Sequence, residues 1–130
     1  MNQYLFLAGR ILFGGIFLLS GIDHFRFVNM MTPYAAAKGV PAPRLGVLVG
    51  GILIILGGLS ILLGIRPDCG VLLLTLFLLP TTFLMHNYWA ATDPSVRQGD
   101  LTHFKKNIGL LGAAWMILLI PQPWPLSVGW

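Results

Sequence analysis

Four long apolar stretches, separated by short polar connections, set the pattern of this sequence. They cover about residues 4–25, 45–65, 70–90 and 101–120. A helix of about 20 apolar residues crosses the hydrocarbon of a bilayer, so each stretch is long enough to be a span. The pattern therefore predicts an all-α protein, an integral membrane four-helix bundle that forms a single domain over residues 1–130.

The connections predict how neighbouring helices are joined. The second is little longer than RPD, which is too short for anything but an antiparallel helical hairpin. The first contains MTPYAAAKG, in which Thr32 can cap a helix, Pro33 suits its first position and Gly39 can end it. We therefore expect a short interfacial helix between spans one and two. In the third connection a turn opens at DP, and Asp100 is placed to cap span four.

Basic residues near the span ends predict the orientation. One side of the membrane receives Arg26, Lys38, Arg44, Arg97, Lys105 and Lys106. The other side has Arg66, and Arg10 a few turns inside the first span. Because cytoplasmic connections carry the excess of lysine and arginine, we place connections one and three in the cytoplasm of a bacterium and both termini outside its inner (plasma) membrane.

Composition agrees with a protein whose main partner is the lipid bilayer. Hydrophobic residues make up 56% of the chain, charged residues only 9%, and glutamate is absent, which leaves too little polar surface for a water-soluble domain. The net charge of +4 is explained by orientation, and without a nucleic-acid motif we expect no nucleic-acid partner. Cys69 is the single cysteine, which excludes an intramolecular disulfide.

Small residues recur at helical spacing and predict close packing of the helices. On span one the stripe comprises Arg10, Gly14, Phe17, Gly21 and His24. On span two it comprises Gly46, Gly50, Leu53, Gly57, Ser60 and Gly64. Glycines let helix backbones approach each other in lipid, so we interpret both stripes chiefly as packing surfaces.

The strongest candidate site is a polar cluster at one end of the spans. Because helix direction alternates, one side of the membrane receives all three histidines, His24, His86 and His103. Lys106 and Asn107 enter span four at the same side, whereas Arg10 lies alone near the opposite side. Polar groups inside a membrane need partners, so this cluster predicts a ligand-binding rim that faces the bundle interior.

These residues also have structural explanations. Lysines beside a span commonly set orientation, and Lys105 and His103 are expected to stay near water. Tyr88 and Trp89 suit the aromatic belt at the membrane surface, and so do Trp124 and Trp130 near the end of the chain.

The chain resembles the DoxX family of small four-span bacterial membrane proteins over nearly its whole length. The resemblance rests on the segments GRILFGGIFLLSGIDHF, MTPYAAAKGVPAP, LGGLSILLGIRP, HNYW and HFKKNIGLLGA. Relatives often carry an acidic residue within span two, and this sequence has none there. The positions that match the family, and that we take as candidate ligand-binding residues, are Arg10, His24, His86, Tyr88, Trp89, Lys106 and Asn107.

The resemblance implies an association with membrane redox systems, including quinone-linked oxidoreductases. Our first hypothesis is an accessory subunit that binds a quinone or similar lipophilic ring near the cytoplasmic face. His24 or His86 would bond a carbonyl oxygen, and Lys106 with Asn107 would stabilise the reduced anion. Tyr88 or Trp89 would stack on the ring. The sequence has no flavin, nicotinamide or iron–sulfur motif, so electrons would come from partner oxidoreductase subunits.

The sequence also bears on other functions and on chemical groups that the protein could bind. The alternative hypothesis is a non-catalytic scaffold or assembly factor that recruits partner membrane proteins, or further copies of itself, through the glycine stripe. Haem ligation by His24 and His86 is less favoured, because both residues end their spans. No metal site is predicted, because no acidic pair accompanies the histidines. The sequence assigns no catalytic residue and does not decide whether the protein is an enzyme.

Overall fold

The computed structural model describes residues 2–129, and all regular structure in that range is helical. A 3₁₀ turn at Tyr88–Ala90 accompanies five helices, which are α1 (Gln3–Arg26), α2 (Val28–Ala37), α3 (Pro43–Leu63), α4 (Pro67–Met85) and α5 (Pro94–Ile117). The all-α prediction is confirmed for this part of the chain.

Three segments are long and apolar enough to cross a membrane. They are Gln3–Arg26, Pro43–Leu63 and Pro67–Ala90. Helix α5 has 24 residues, but its first thirteen include four charged side chains, namely Arg97, Asp100, Lys105 and Lys106. Its role as a fourth span therefore stays a prediction.

Helix α5 starts earlier than the apolar pattern indicates. Asp93 caps it by accepting a 2.9 Å bond from the backbone N–H of Ser95, and Pro94 occupies the first turn. No proline follows Pro94 within the helix, so the helix continues from this cap through Gly99, and Asp100 lies well inside it. The prediction that Asp100 caps this helix is wrong, and its carboxylate is free to bind elsewhere.

Helix α2 also begins before its predicted cap. Only Phe27 interrupts the helical backbone between α1 and α2, so Thr32 is an interior residue and donates to the carbonyl of Val28 at 2.7 Å. Pro33 lies inside the helix instead of opening it. The predicted end is confirmed, since Gly39 follows α2 with a φ of 80°. The interfacial position of α2 stays a prediction.

Glycines bring α1 and α3 into backbone contact. A Cβ added at Gly14 would lie 2.7 Å from the carbonyl oxygen of Gly58, and one added at Gly51 would lie 2.8 Å from Cβ of His24. The two helices run antiparallel, because the start of α1 meets the end of α3. The prediction that the span-one stripe packs against another helix is confirmed here. The α3 glycines that meet it, Gly51 and Gly58, lie outside the predicted span-two stripe.

Helix α3 lies between α1 and α4. A Cβ at Gly57 would meet the side chain of Leu74 at 2.7 Å, so this face is closed by α4. The connection turns sharply at Gly64 and Arg66, which both have left-handed backbone conformations. The predicted antiparallel hairpin is thus confirmed, and the most deeply buried side chains of the core lie along it, namely Ile54, Ile61, Leu74 and Leu78.

Helix α5 packs on α4 and leaves α1 at a distance. The indole N–H of Trp115 donates to Thr75 at 3.2 Å, and the rings of Phe104 and Phe83 lie 5.4 Å apart. The main partner of α1 is α3 and that of α5 is α4. A seam therefore remains between α1 and α5, and the cavities described below lie along it.

The C-terminal segment folds back over the far end of the helices. The N–H of Val128 donates to the carbonyl of Leu63 at 2.9 Å. Trp124 is 3% exposed and its ring lies 5.1 Å from that of Phe6. The prediction that Trp124 anchors in the headgroup zone is wrong, because the returning chain carries it into the core. Trp130 lies outside the described residues.

Neighbouring glycines of α1 give a matched test of this packing. We expect Gly14→Ala to lower the free energy of unfolding by about 1–3 kcal/mol, because its methyl group collides with backbone of α3. Gly15→Ala adds a methyl group in open space. It should leave stability unchanged or raise it by up to about 1 kcal/mol through helix propensity. Unfolding in mixed detergent micelles measures both, and equal effects would contradict the packing described.

Candidate ligand-binding site

A cavity of about 480 Å³ lies at the end of the bundle where α1 and α4 finish. Helices α1, α3, α4 and α5 form its walls, and α2 contributes Met31, Tyr34 and Ala35. Much of the lining is apolar, and its polar members include Ser20, Asp23, His24, His86, His103, Lys106 and Asn107. The prediction that the three histidines meet at one end is confirmed. All three line the cavity, with His24 and His86 half-buried and His103 exposed.

His24 is fixed by the backbone of α3. Its Nδ1 lies 2.9 Å from the carbonyl oxygen of Val47, and its ring meets that of Phe77 edge to face at 5.5 Å. A carbonyl can only accept, so Nδ1 carries the proton of this bond. In the neutral imidazole, Nε2 then remains as an acceptor.

His86 and His103 form a stacked pair on the opposite wall. Their ring centroids are 4.9 Å apart and their planes differ by 28°. Nδ1 of His86 is buried without a hydrogen-bond partner among residues 2–129, and the nearest carboxylate oxygen of Asp100 is 3.7 Å away. A buried polar atom without a partner is uncommon in a folded protein, so this nitrogen is a candidate contact for a ligand in the cavity.

Lys106 and Asn107 provide donors on α5. Asn107 is 6% exposed and lines the cavity, yet no hydrogen bond joins its amide to another described residue. Lys106 also lines the cavity, although it is exposed, and it forms no ion pair within residues 2–129. A buried amide needs a partner, so Asn107 presents a free donor to a ligand in the cavity, and Lys106 presents a second donor beside it.

A buried ion pair, which the sequence did not reveal, ties α2 to α5. Lys38 Nζ lies 2.9 Å from Oδ2 of Asp100 and 3.0 Å from Oδ1 of Asn87. The Tyr34 hydroxyl donates to Oδ1 of Asp100 at 3.4 Å. Asp100 is 4% exposed. This Lys38–Asp100 pair holds α2 in place where its side chains close the polar end of the cavity.

Asp100, which precedes the predicted fourth span, stays ionised at neutral pH. Burial raises the pKa of its carboxyl, but the hydrogen bond and charge of Lys38, with a contribution from His86, lower it by more. The net pKa lies below the usual 3.8. Because the folded pKa is depressed, the stabilisation is complete above the unfolded pKa and is lost as pH falls through the folded pKa.

Tyr88 and Trp89 lie in a separate aromatic cluster. The ring of Tyr88 is 5.3 Å from that of Phe104, and Trp89 is 5.9 Å from the same ring. Neither residue lines the cavity, and Trp89 is 53% exposed. The structure therefore does not bring these two rings together with the histidines.

Arg10 lies at the other end of α1, as the sequence places it. It is 3% exposed, and its guanidinium donates to carbonyl oxygens of α3 and of the C-terminal segment. The acceptors are Ile61 at 3.2 Å, Leu62 at 2.8 Å, Pro125 at 2.8 Å and Leu126 at 3.3 Å. Carbonyls at a helix end have no partner within the helix, so Arg10 supplies hydrogen bonds to those at the end of α3. Its bonds to Pro125 and Leu126 hold the C-terminal segment against the same end.

Comparison with known proteins supports the resemblance seen in the sequence. A family model described as DoxX matches residues 5–87, which is more than half of the chain. The chain belongs to the DoxX family. The match contains Arg10, His24 and His86, and it ends before the other candidate residues, Tyr88, Trp89, Lys106 and Asn107.

A curated relative covers nearly the whole DoxX-family chain. Inner membrane protein YphA of Escherichia coli (strain K12) is 27% identical over 124 residues, which is 95% of this chain and 87% of the relative. No solved structure matches. With an inner-membrane relative and three apolar helices, this DoxX-family chain is a multi-pass membrane protein.

The Lys38–Asp100 pair can be tested by rescue. We expect Lys38→Met to lower the free energy of unfolding by about 2–3 kcal/mol, because it leaves a buried carboxylate unpaired. Adding Asp100→Asn removes that charge and should recover part of the loss. Asp68→Asn breaks the exposed pair with Arg66 and should change stability little. A double variant no more stable than Lys38→Met would contradict a charge-based role for the pair.

Proposed function

We propose that this DoxX-family protein binds a quinone-type ligand in the cavity between α1 and α5, as an accessory subunit of a membrane redox system. One observation carries the proposal: an apolar cavity of about 480 Å³ has unpartnered polar groups gathered at one end. Cavities of about 300–1,000 Å³ with mostly apolar walls and a few placed polar groups are typical of small-molecule sites.

The polar groups suit the oxygens of such a ring. Lys106 and Asn107 can donate to a quinone carbonyl oxygen and stabilise negative charge that develops there on reduction. His24, with its Nδ1 proton bound to Val47, can accept from the hydroxyl of the reduced form through Nε2. His86 and His103 can exchange protons at the same end of the cavity. Full reduction consumes two electrons and two protons, and the electrons would come from a partner oxidoreductase.

The proposed site is smaller than the set named from the sequence. It keeps the residues that line the cavity, namely His24, His86, Lys106 and Asn107. Arg10 donates hydrogen bonds to carbonyl groups at the other end. Tyr88 and Trp89 pack on Phe104 of α5, away from the cavity. We therefore assign these three residues structural roles.

The scaffold hypothesis requires the glycine stripe to be free for a partner protein, but these glycines pack within the chain. Gly57 would have to face a partner protein, but it packs on Leu74 within the chain. The glycines Gly14, Gly21, Gly51 and Gly58 are likewise used between α1 and α3. No feature of residues 2–129 gives this hypothesis the support that the cavity gives to ligand binding.

We further propose that α5 forms a fourth span from about residue 101 onward, that α2 lies at the cytoplasmic interface, and that both termini are outside. Support for the span comes from α5 residues that share the core with the three apolar helices, namely Leu111 and Ala114. Support for the orientation comes from the basic residues, most of which lie at the end that α2 covers.

The single cysteine tests this orientation directly. Cys69 is exposed at the end opposite the histidines, so a membrane-impermeant maleimide should label it in intact spheroplasts. In a Cys69→Ser background, Gln98→Cys should be labelled only after the membrane is permeabilised, because Gln98 is exposed at the other end. The reverse pattern would invert the orientation, and labelling of both sites from outside would contradict the crossing of the membrane by α4, which lies between them.

Binding of a short-chain ubiquinone homologue tests the proposed function. In protein reconstituted into nanodiscs, Asn107→Leu should weaken binding about fivefold to tenfold, because it removes a hydrogen bond of about 1–1.5 kcal/mol. Lys106→Met should weaken binding of the reduced form more than that of the oxidised form. Lys105→Met is the matched control, since Lys105 is exposed like Lys106 but does not line the cavity. Unsaturable binding, or equal affinity in all variants, would reject the proposal.

A further inference from the structure

A second cavity, of about 420 Å³, lies between the same two helices at the opposite end. Its lining is almost wholly apolar, and its members include Phe6, Gly9, Phe13, Ala113, Ile117 and Trp124. Arg10 is its one charged residue, and the guanidinium is already bound by carbonyl oxygens. This second cavity therefore offers contact surface to hydrocarbon and little to a polar group.

The two cavities follow each other along the seam between α1 and α5. On α5, Leu110 lines the first and Ala113 lines the second, one turn further along. On α1, Phe17 and Phe13 occupy the corresponding positions, with ring centroids 5.2 Å apart. From Phe6 to Ser20 the seam extends about 21 Å at 1.5 Å per residue.

The polarity of the seam changes from one end to the other. Donors and imidazoles gather at the first cavity, whereas phenylalanine, isoleucine and tryptophan side chains surround the second. The α1 side of the second cavity has spare room, because a Cβ added at Gly9 would meet no atom within 4 Å. An amphiphile with a polar ring and a hydrocarbon tail matches this gradient along its length.

We propose that the second cavity is a tail site, which holds the isoprenoid or alkyl tail of the ligand whose ring occupies the first cavity. This inference rests on the proposed function and narrows the ligand class to quinones with a long tail. The seam opens laterally between two helices, so such a ligand would enter from the bilayer.

Two ubiquinone homologues provide the test, one with a single isoprene unit and one with a ten-carbon chain. In nanodiscs, wild-type protein should bind the long homologue more tightly than the short one. Gly9→Leu fills the second cavity and should reduce this preference at least about tenfold, since each buried methylene contributes strongly to affinity. Ala113→Leu fills it from the other wall and should act in the same direction. Gly15→Leu, also placed in open space but outside both cavities, should keep the preference.

The outcomes separate the two proposals. If both homologues bind and Gly9→Leu and Ala113→Leu leave the preference unchanged, the tail site is rejected while ring binding stands. If neither homologue binds wild-type protein, the proposed function and the tail site both fail. If the cavity-filling variants only reduce the phospholipid that copurifies, a structural lipid occupies the seam and the tail site is again rejected.

Discussion

Backbone contact between α1 and α3 is the constraint on which the rest of the structure depends. Gly14 and Gly58 allow the backbones of the two helices to touch, and this contact fixes how far α1 is shifted along α3. Arg10 then meets the free carbonyls at the end of α3, and His24 meets the carbonyl of Val47 near its start. In hydrocarbon a polar side chain must find its partner inside the protein. One packing surface therefore satisfies polar groups at both ends of α1.

The candidate site is a consequence of what α1 does not touch. Because α1 packs on α3 and α5 packs on α4, a seam stays open between α1 and α5. The Lys38–Asp100 pair holds α2 over the polar end of this seam. Lys106 and Asn107 line the cavity there and have no hydrogen-bond partner among the described residues. A buried ion pair contributes little net stability compared with an apolar contact. Here the pair connects the end of α2 to α5 and so keeps the α2 side chains against the cavity.

The sequence predicted the features that periodicity controls and missed those that depend on distant contacts. Alternating helix direction correctly placed His24 and His86 at one end, and helical spacing correctly marked the glycine face of α1. On α3 it marked the face with Gly57, which packs on α4, and missed Gly51 and Gly58, which meet α1. The partner of Asp100 was missed, because Lys38 lies 62 residues away and no local pattern connects them. Trp124 was assigned to the membrane surface because the sequence does not show that the C-terminal segment returns to Arg10. Local signals also misplaced the start of α2, since packing overrode the usual position of Pro33.

The central claim is that a ligand lies between α1 and α5 with its polar end toward α5's free donors. A structure determined from native membrane nanodiscs, without added ligand or detergent, tests it most directly. We expect elongated non-protein density along the seam, with its head within hydrogen-bonding distance of Asn107 or Lys106 and its tail beside Phe13. If α1 and α5 instead close on each other and their own side chains fill both cavities, the account is contradicted.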